Sequence, residues 1–317
     1  MSTRFMLACS ALAAIMLAAT VTDPWSGHPV PVTVGSGQPP ATSDCTQQNL
    51  LASLRPQGPL PAPGQMPAGS TMAQIAKRGY LTVNVLEDTP PVASRDVKDV
   101  NLRLEGFDVD IARDIAEAIF GNREGVVFQP LPVANRFEIV RSGQVDLTIA
   151  AATITCQRRE LVDFSTVYYE AGQRVLVNRD SAVTSLDDLR DKRVCAATGS
   201  TPLETIQAAS AKPIPVGVAT DTDCLMLLQL GDVDAVSTDD ILLAGMTTQD
   251  AQTKIVGPRF TAEPYGVAIN KNSPDLVRFV NAVLQRRVED GRWQTSYEHW
   301  LAPLGLPASL PTPQYRD

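Results

Sequence analysis

The sequence predicts an α/β fold built on mainly parallel sheets. Short apolar runs alternate with segments of helical period along most of the chain, and Gly, Pro, Asp or Ser punctuate the joins. Hydrophobic residues make up 44% of the 317 residues, an ordinary share for a globular chain and enough for two compact domains. Tyr80 to Leu86 reads as the first strand. Phe107 to Phe120 reads as a helix, because Ile111, Ile115 and Ile119 share one face and Gly121 stops it. A strand at 126–131, a helix at 134–142 and a buried strand at 145–151 complete a first set. A second set follows, with strands at 174–178, 194–197, 215–219 and 233–237 and helices at 201–209, 221–230 and 240–246. The chain then returns through a strand at 265–270 to helices at 274–289 and 291–301.

The flanks have a different composition. Arg4 and the apolar run Phe5 to Ala19 resemble an export signal, so residues 1–20 are expected to be a signal peptide; the run is too short for a comfortable membrane span. Thr20 stands where a lipobox cysteine would, and Cys9 lies inside the apolar run, which speaks against lipid anchoring. Residues 21–70 are rich in Pro, Gly, Ser and Gln and predict an extended stalk. The tail at 303–317, with Pro303, Pro307, Pro311 and Pro313, reads the same way.

A net charge of −8 argues against a nucleic-acid partner, which needs a basic surface. The only histidines, His28 and His299, poorly supply a zinc site or a Ser-His or Cys-His catalytic pair, and no metal or cofactor is expected. Beyond Cys9 there remain Cys45, Cys156, Cys195 and Cys224. An even number in an exported chain predicts two disulfides, with three pairings possible.

Three segments carry a resemblance. Residues Thr153 to Ser165, TITCQRRELVDFS, fit the pattern T-I-T-x-x-R-x-x-x-x-D-F-S. Glu105 to Ala112, EGFDVDIA, fits a G-F-D-V-D helix start, and Asp234 to Asp240, DAVSTDD, fits D-A-hydrophobic-x-x-D. In this order and spacing they resemble the bacterial extracellular solute-binding proteins for polar amino acids, the binding components of ABC importers. The resemblance covers residues 75–302. It implies a two-lobed periplasmic-binding-protein-like fold of type II, with two chain crossings and a ligand cleft closed by hinge bending. Lobe 1 is then 71–172 with 266–302, and lobe 2 is 173–265. Cys195 and Cys224 share lobe 2 in this architecture and are expected to pair, leaving Cys45 with Cys156.

The resemblance also implies a site. A free amino acid carries a carboxylate and an ammonium, and burying both requires a partner for each. Arg158 matches the family arginine that grips the carboxylate, a role suited to a bidentate guanidinium. Thr153 matches a residue whose hydroxyl meets the ligand, and Ala151 would offer its carbonyl to the ammonium. Ser200 and Thr201 lie where a strand meets a helix, and free N–H groups there favour an anion. Asp239 matches the aspartate that takes the ammonium, with Asp240 as the alternative. Asp88 and Glu87 stand near a position where relatives hold ligand with an acid and an aromatic, but no aromatic follows before Arg103. Asn135-Arg136 resembles an element of glutamate and aspartate binders in which the arginine reaches the side-chain carboxylate. Arg95, Lys98 and Arg103 are weaker candidates at the cleft mouth.

The expected function is therefore extracytoplasmic, periplasmic or envelope binding of Glu, Asp, Gln or Asn by a monomer that delivers it to an ABC permease. An amino-acid sensor lobe signalling to a membrane partner is the alternative reading. An enzyme resembling cyclohexadienyl dehydratases is the remaining one, disfavoured because no dedicated acid–base pair is visible.

Overall fold

The computed structural model describes residues 45–46, 48–96 and 99–317. The signal segment, His28, Cys9 and Lys98 lie outside the described residues. Two five-stranded sheets form the centres of two lobes. In lobe 1 the order is Val126–Pro130, Leu81–Val85, Leu147–Thr148, Ala268–Ile269 and Asp163–Phe164. The first three strands run parallel, and Ala268–Ile269 is antiparallel to both its neighbours. In lobe 2 the order is Ile214–Val218, Arg193–Ala197, Ala235–Asp239, Gln173–Asn178 and Thr253–Val256. Again three strands are parallel, and Gln173–Asn178 is antiparallel to its neighbours. One strand in each sheet is reversed and the other four share a direction, so the sheets are mainly parallel, as predicted. Alternating composition sets where strands lie, whereas the direction of the last strands follows from the chain crossing between lobes.

Helices α1 (Thr71–Arg78), α2 (Phe107–Phe120), α3 (Arg136–Arg141) and α4 (Cys156–Leu161) belong to lobe 1. Lobe 2 carries α5 (Thr201–Ala208), α6 (Asp221–Leu230) and α7 (Asp240–Gln249). The chain then returns to lobe 1 for α8 (Pro274–Glu289) and α9 (Arg292–Trp300). Helix α2 lies where its period predicted, with Ile111, Ile115 and Ile119 buried and Gly121 at its end. Its Asp114 is buried and pairs with Arg287 of α8, Arg292 of α9 and Arg123, so one carboxylate ties three segments together. The two crossings form an antiparallel ribbon, Tyr169–Ala171 against Glu263–Tyr265. Tyr168, Tyr169 and Tyr265 are fully buried there.

Both predicted disulfides are formed, Cys45–Cys156 and Cys195–Cys224. The stalk reading is corrected for the part of 21–70 that is described. Cys45 is tied to α4, Leu60 and Met66 pack against the lobe 1 core, and Ser53 is fully buried. The tail is corrected likewise. Ser53 bridges Tyr315 in parallel, the Arg55 guanidinium lies 4.4 Å from the centre of the Tyr315 ring, and Arg316 pairs with Asp163. Proline removes backbone donors and breaks periodicity. It does not prevent attachment through isolated anchors, which leave no repeating pattern in sequence.

Candidate ligand-binding site

The segment from Ala150 to Arg158 leaves the lobe 1 sheet toward lobe 2. Thr155 caps α4, its hydroxyl accepting from the Arg158 N–H at 3.2 Å. This short helix fixes Arg158 at the seam between lobes. Its guanidinium donates to the Thr153 carbonyl at 2.8 Å and to the Gly199 carbonyl of lobe 2 at 3.2 Å. Arg136 opens α3 and donates to the carbonyls of Ala150 at 3.0 Å and Ala151 at 3.5 Å, while its Nε lacks a partner. Both arginines are buried, and the Phe137 ring lies about 5 Å from each guanidinium. Burial pulls both guanidinium pKa values down, and Arg136 adds to the effect on Arg158. Arginine keeps its charge in proteins, so this desolvation is a demand for an anion.

Lobe 2 supplies the carboxyl groups. Asp239 ends a strand with its Oδ2 accepting from the Tyr265 hydroxyl and its Oδ1 without a partner. Burial, then the Glu263 carboxylate, hold Asp239 well above the usual carboxylate range. Asp221 is the first residue of α6, is buried, and also has an unpartnered Oδ1. Burial and then Asp88 push it up to about 6. Ser200 caps α5, accepting from the Leu203 N–H at 3.2 Å, and the Thr201 hydroxyl donates to Glu263 at 2.7 Å.

These groups surround a small, nearly closed cavity between the lobes. Arg136, Ala151, Thr153, Ser200, Thr201, Asp221 and Asp239 line it, with Leu86 and Leu242 as apolar walls. Arg158 is not part of the lining; it sits beside the cavity, bridging Thr153 and Gly199. Asp88 does not line it either. Its backbone carbonyl instead accepts from the Thr222 hydroxyl of lobe 2 at 2.8 Å. Glu87 pairs with Arg95, Arg103 pairs with Asp99, and Asp240 pairs with Arg259, so none of these is a free charge for the cavity. Close approach of the lobes depends on Gly245 in α7, where an added Cβ would lie 1.6 Å from the Pro90 carbonyl oxygen.

Sequence reasoning missed Asp221, Glu263, Tyr265 and Phe137. Asp221 follows Thr220 in a capping box with Asp223 and so reads as an ordinary helix start. Phe137 adjoins Arg136, but its contact with Arg158 joins residues 21 positions apart only in three dimensions.

The sequence profile of the bacterial extracellular solute-binding proteins, family 3, matches residues 81–303. The chain belongs to this family. The match makes it a solute-binding protein rather than an enzyme, and places it outside the cytoplasm. The ABC transporter glutamine-binding protein GlnH of Bacillus subtilis is 31% identical over 253 residues, covering 80% of this chain and 92% of that protein. The glutamate-binding protein GluB of Corynebacterium efficiens is 30% identical over 252 residues, covering 74% of this chain and 83% of that protein. A solved solute receptor for L-cysteine from Neisseria gonorrhoeae is 30% identical with a TM-score of 0.70, covering 74% of this chain and 95% of that one. The two-lobed, twice-crossed architecture expected of a family 3 protein is the one observed.

Proposed function

We propose that this family 3 protein binds a free Glu, Asp, Gln or Asn between its lobes and delivers it to an ABC permease. The observation that carries the reading is one cavity set between buried guanidinium groups of one lobe and buried carboxyl groups of the other. Arg136 and the adjacent Arg158 stand on lobe 1, and Asp221 and Asp239, each with an unpartnered oxygen, stand on lobe 2. A zwitterion satisfies both sets at once, whereas a neutral ligand leaves buried charges unpaired. The α-carboxylate takes the Arg158 donor now given to Gly199, with help from Thr153, Ser200 and Thr201. The ammonium goes to Asp239 and the Ala151 carbonyl. Arg136 meets the side-chain oxygen, which disfavours a lysine or arginine side chain.

The names of two relatives, a glutamine-binding and a glutamate-binding protein, support this ligand class. Titration calorimetry of the mature chain against Glu, Asp, Gln, Asn and Lys tests it. Tight binding of at least one of the first four, with Lys much weaker, is the expected result. No heat with any of the four, or preference for Lys, overturns it.

A further inference from the structure

The G-F-D-V-D motif at the start of α2 contributes no residue to the cavity lining. Its second acid, Asp110, accepts from Ser296 at 2.7 Å and from the Trp300 indole at 2.9 Å, and so anchors α9. Asp108 does something else. Its carboxylate is 1% exposed, and Oδ2 accepts from the Ala151 backbone N–H at 2.9 Å, 43 residues along the chain.

Ala151 is one of four described non-glycine residues with positive φ, here +46°. That conformation is costly for an alanine. The regular ladder stops just before it, where the Ile149 N–H donates to the Asn84 carbonyl at 2.9 Å. The kink turns the Ala150 and Ala151 carbonyls toward Arg136 and leads the chain into Thr153 and Arg158. A buried N–H at such a turn needs an acceptor, and the ladder does not supply one.

The start of α2 is itself fixed. The Phe107 and Asp108 N–H groups donate to the Pro91 and Val92 carbonyls, each at 3.0 Å. At Gly106 an added Cβ would lie 2.3 Å from the Val92 oxygen, so only glycine lets the helix dock here. Burial pushes the Asp108 carboxyl up to about 7, and the main groups that favour its ionised form are the Ala151 N–H, which donates to Oδ2, and the neighbouring Tyr168 hydroxyl.

We propose that Asp108 is a positioning residue for ligand binding: its carboxylate holds the left-handed turn at Ala151 and so aims the binding segment 150–158 into the cleft. The inference rests on the amino-acid reading of the cavity. It deepens that reading by giving the motif a role in affinity and not only in folding.

The test is a mutant cycle read by titration calorimetry with the preferred amino acid, with thermal melts confirming folding. Asp108→Ala removes the acceptor and is expected to weaken binding about tenfold or more. Asp108→Asn keeps an acceptor oxygen and is expected to stay within about threefold. Glycine adopts positive φ freely, so in the Ala151→Gly background the loss caused by Asp108→Ala should shrink to about threefold or less. An undiminished loss in that background, or an Asp108→Asn variant as weak as Asp108→Ala, overturns the proposal. Should Asp108→Ala fail to fold, ¹⁵N NMR of Asp108→Asn decides. The Ala151 amide proton is expected to shift upfield on losing its ionisable acceptor, and an unmoved resonance rejects the contact. A wild-type chain that binds none of the amino acids would sink the functional reading while leaving this NMR result intact.

Discussion

The Arg158 guanidinium of lobe 1 donates to the Gly199 carbonyl of lobe 2, 3.2 Å away. A backbone carbonyl carries only a partial charge, so it is a weak stand-in for a carboxylate beside a buried cation. Arg158→Ala is therefore expected to cost at least about 3 kcal/mol of affinity, more than a hundredfold, while leaving the fold intact. Calorimetry checks it, and an unchanged Kd would remove Arg158 from the site.

Arg136 tests ligand choice. Its guanidinium already has the Ala150 and Ala151 carbonyls, and its remaining Nε faces no protein acceptor. Arg136→Ala is expected to weaken Glu and Asp about tenfold more than Gln and Asn, because only the acids lose a charge–charge interaction. Equal losses across the four ligands would contradict the assignment.

Gly245 tests closure. Its missing side chain admits the Pro90 carbonyl oxygen, with 1.6 Å between that atom and an added Cβ. Gly245→Ala is expected to hold the lobes apart and lower affinity at least about tenfold, since ligand would bind a state that cannot fully close. Small-angle scattering with saturating ligand should show a larger radius of gyration than wild type. A wild-type radius with wild-type Kd would show that the lobes meet elsewhere.

The buried acids give the unliganded protein a pH signature. Asp221 and Asp108 are raised from 3.8 to about 6 and about 7 in the folded state. Each native carboxyl holds its proton over a range where the unfolded one has lost it. Their contribution to stability is thus full below about pH 4 and is lost as pH rises through 6 and 7. Asp221→Asn is expected to flatten the decline in melting temperature between pH 4 and 6. A decline of unchanged slope would show that Asp221 ionises normally.

Cys45–Cys156 closes a separation of 111 residues, and Cys195–Cys224 one of 29. Loop-closure entropy assigns about 5 kcal/mol to the first and about 3.5 kcal/mol to the second. Cys45→Ser is accordingly expected to lower the melting temperature more than Cys224→Ser. The reverse order would mean that residues 48–55 hold their place without the bond, through the Arg159 hydrogen bonds to the Leu50 and Ala52 carbonyls.

Elements with a strong period were legible in sequence. Helices α2 and α8 lie at the predicted 107–120 and 274–289, because apolar spacing and a terminal Gly or leading Pro define them locally. The strand expected at 145–151 shrinks to Leu147–Thr148, since the residues after it leave the ladder to build the site. The family motif placed Arg136, Ala151, Thr153, Thr201 and Asp239 around the cavity. Asp221 was hidden by its second role at a helix start. Ser53 and Tyr315 were hidden because one bridge between distant segments has no period to read.

The disulfides also bear on motion. One joins α4 to the segment before Ser53, and the other joins a lobe 2 strand to α6. Neither spans the Tyr169–Ala171 and Glu263–Tyr265 ribbon. Oxidation therefore stiffens each half internally and leaves the swing between them unrestrained, so export into an oxidising compartment can harden the protein without slowing capture and release.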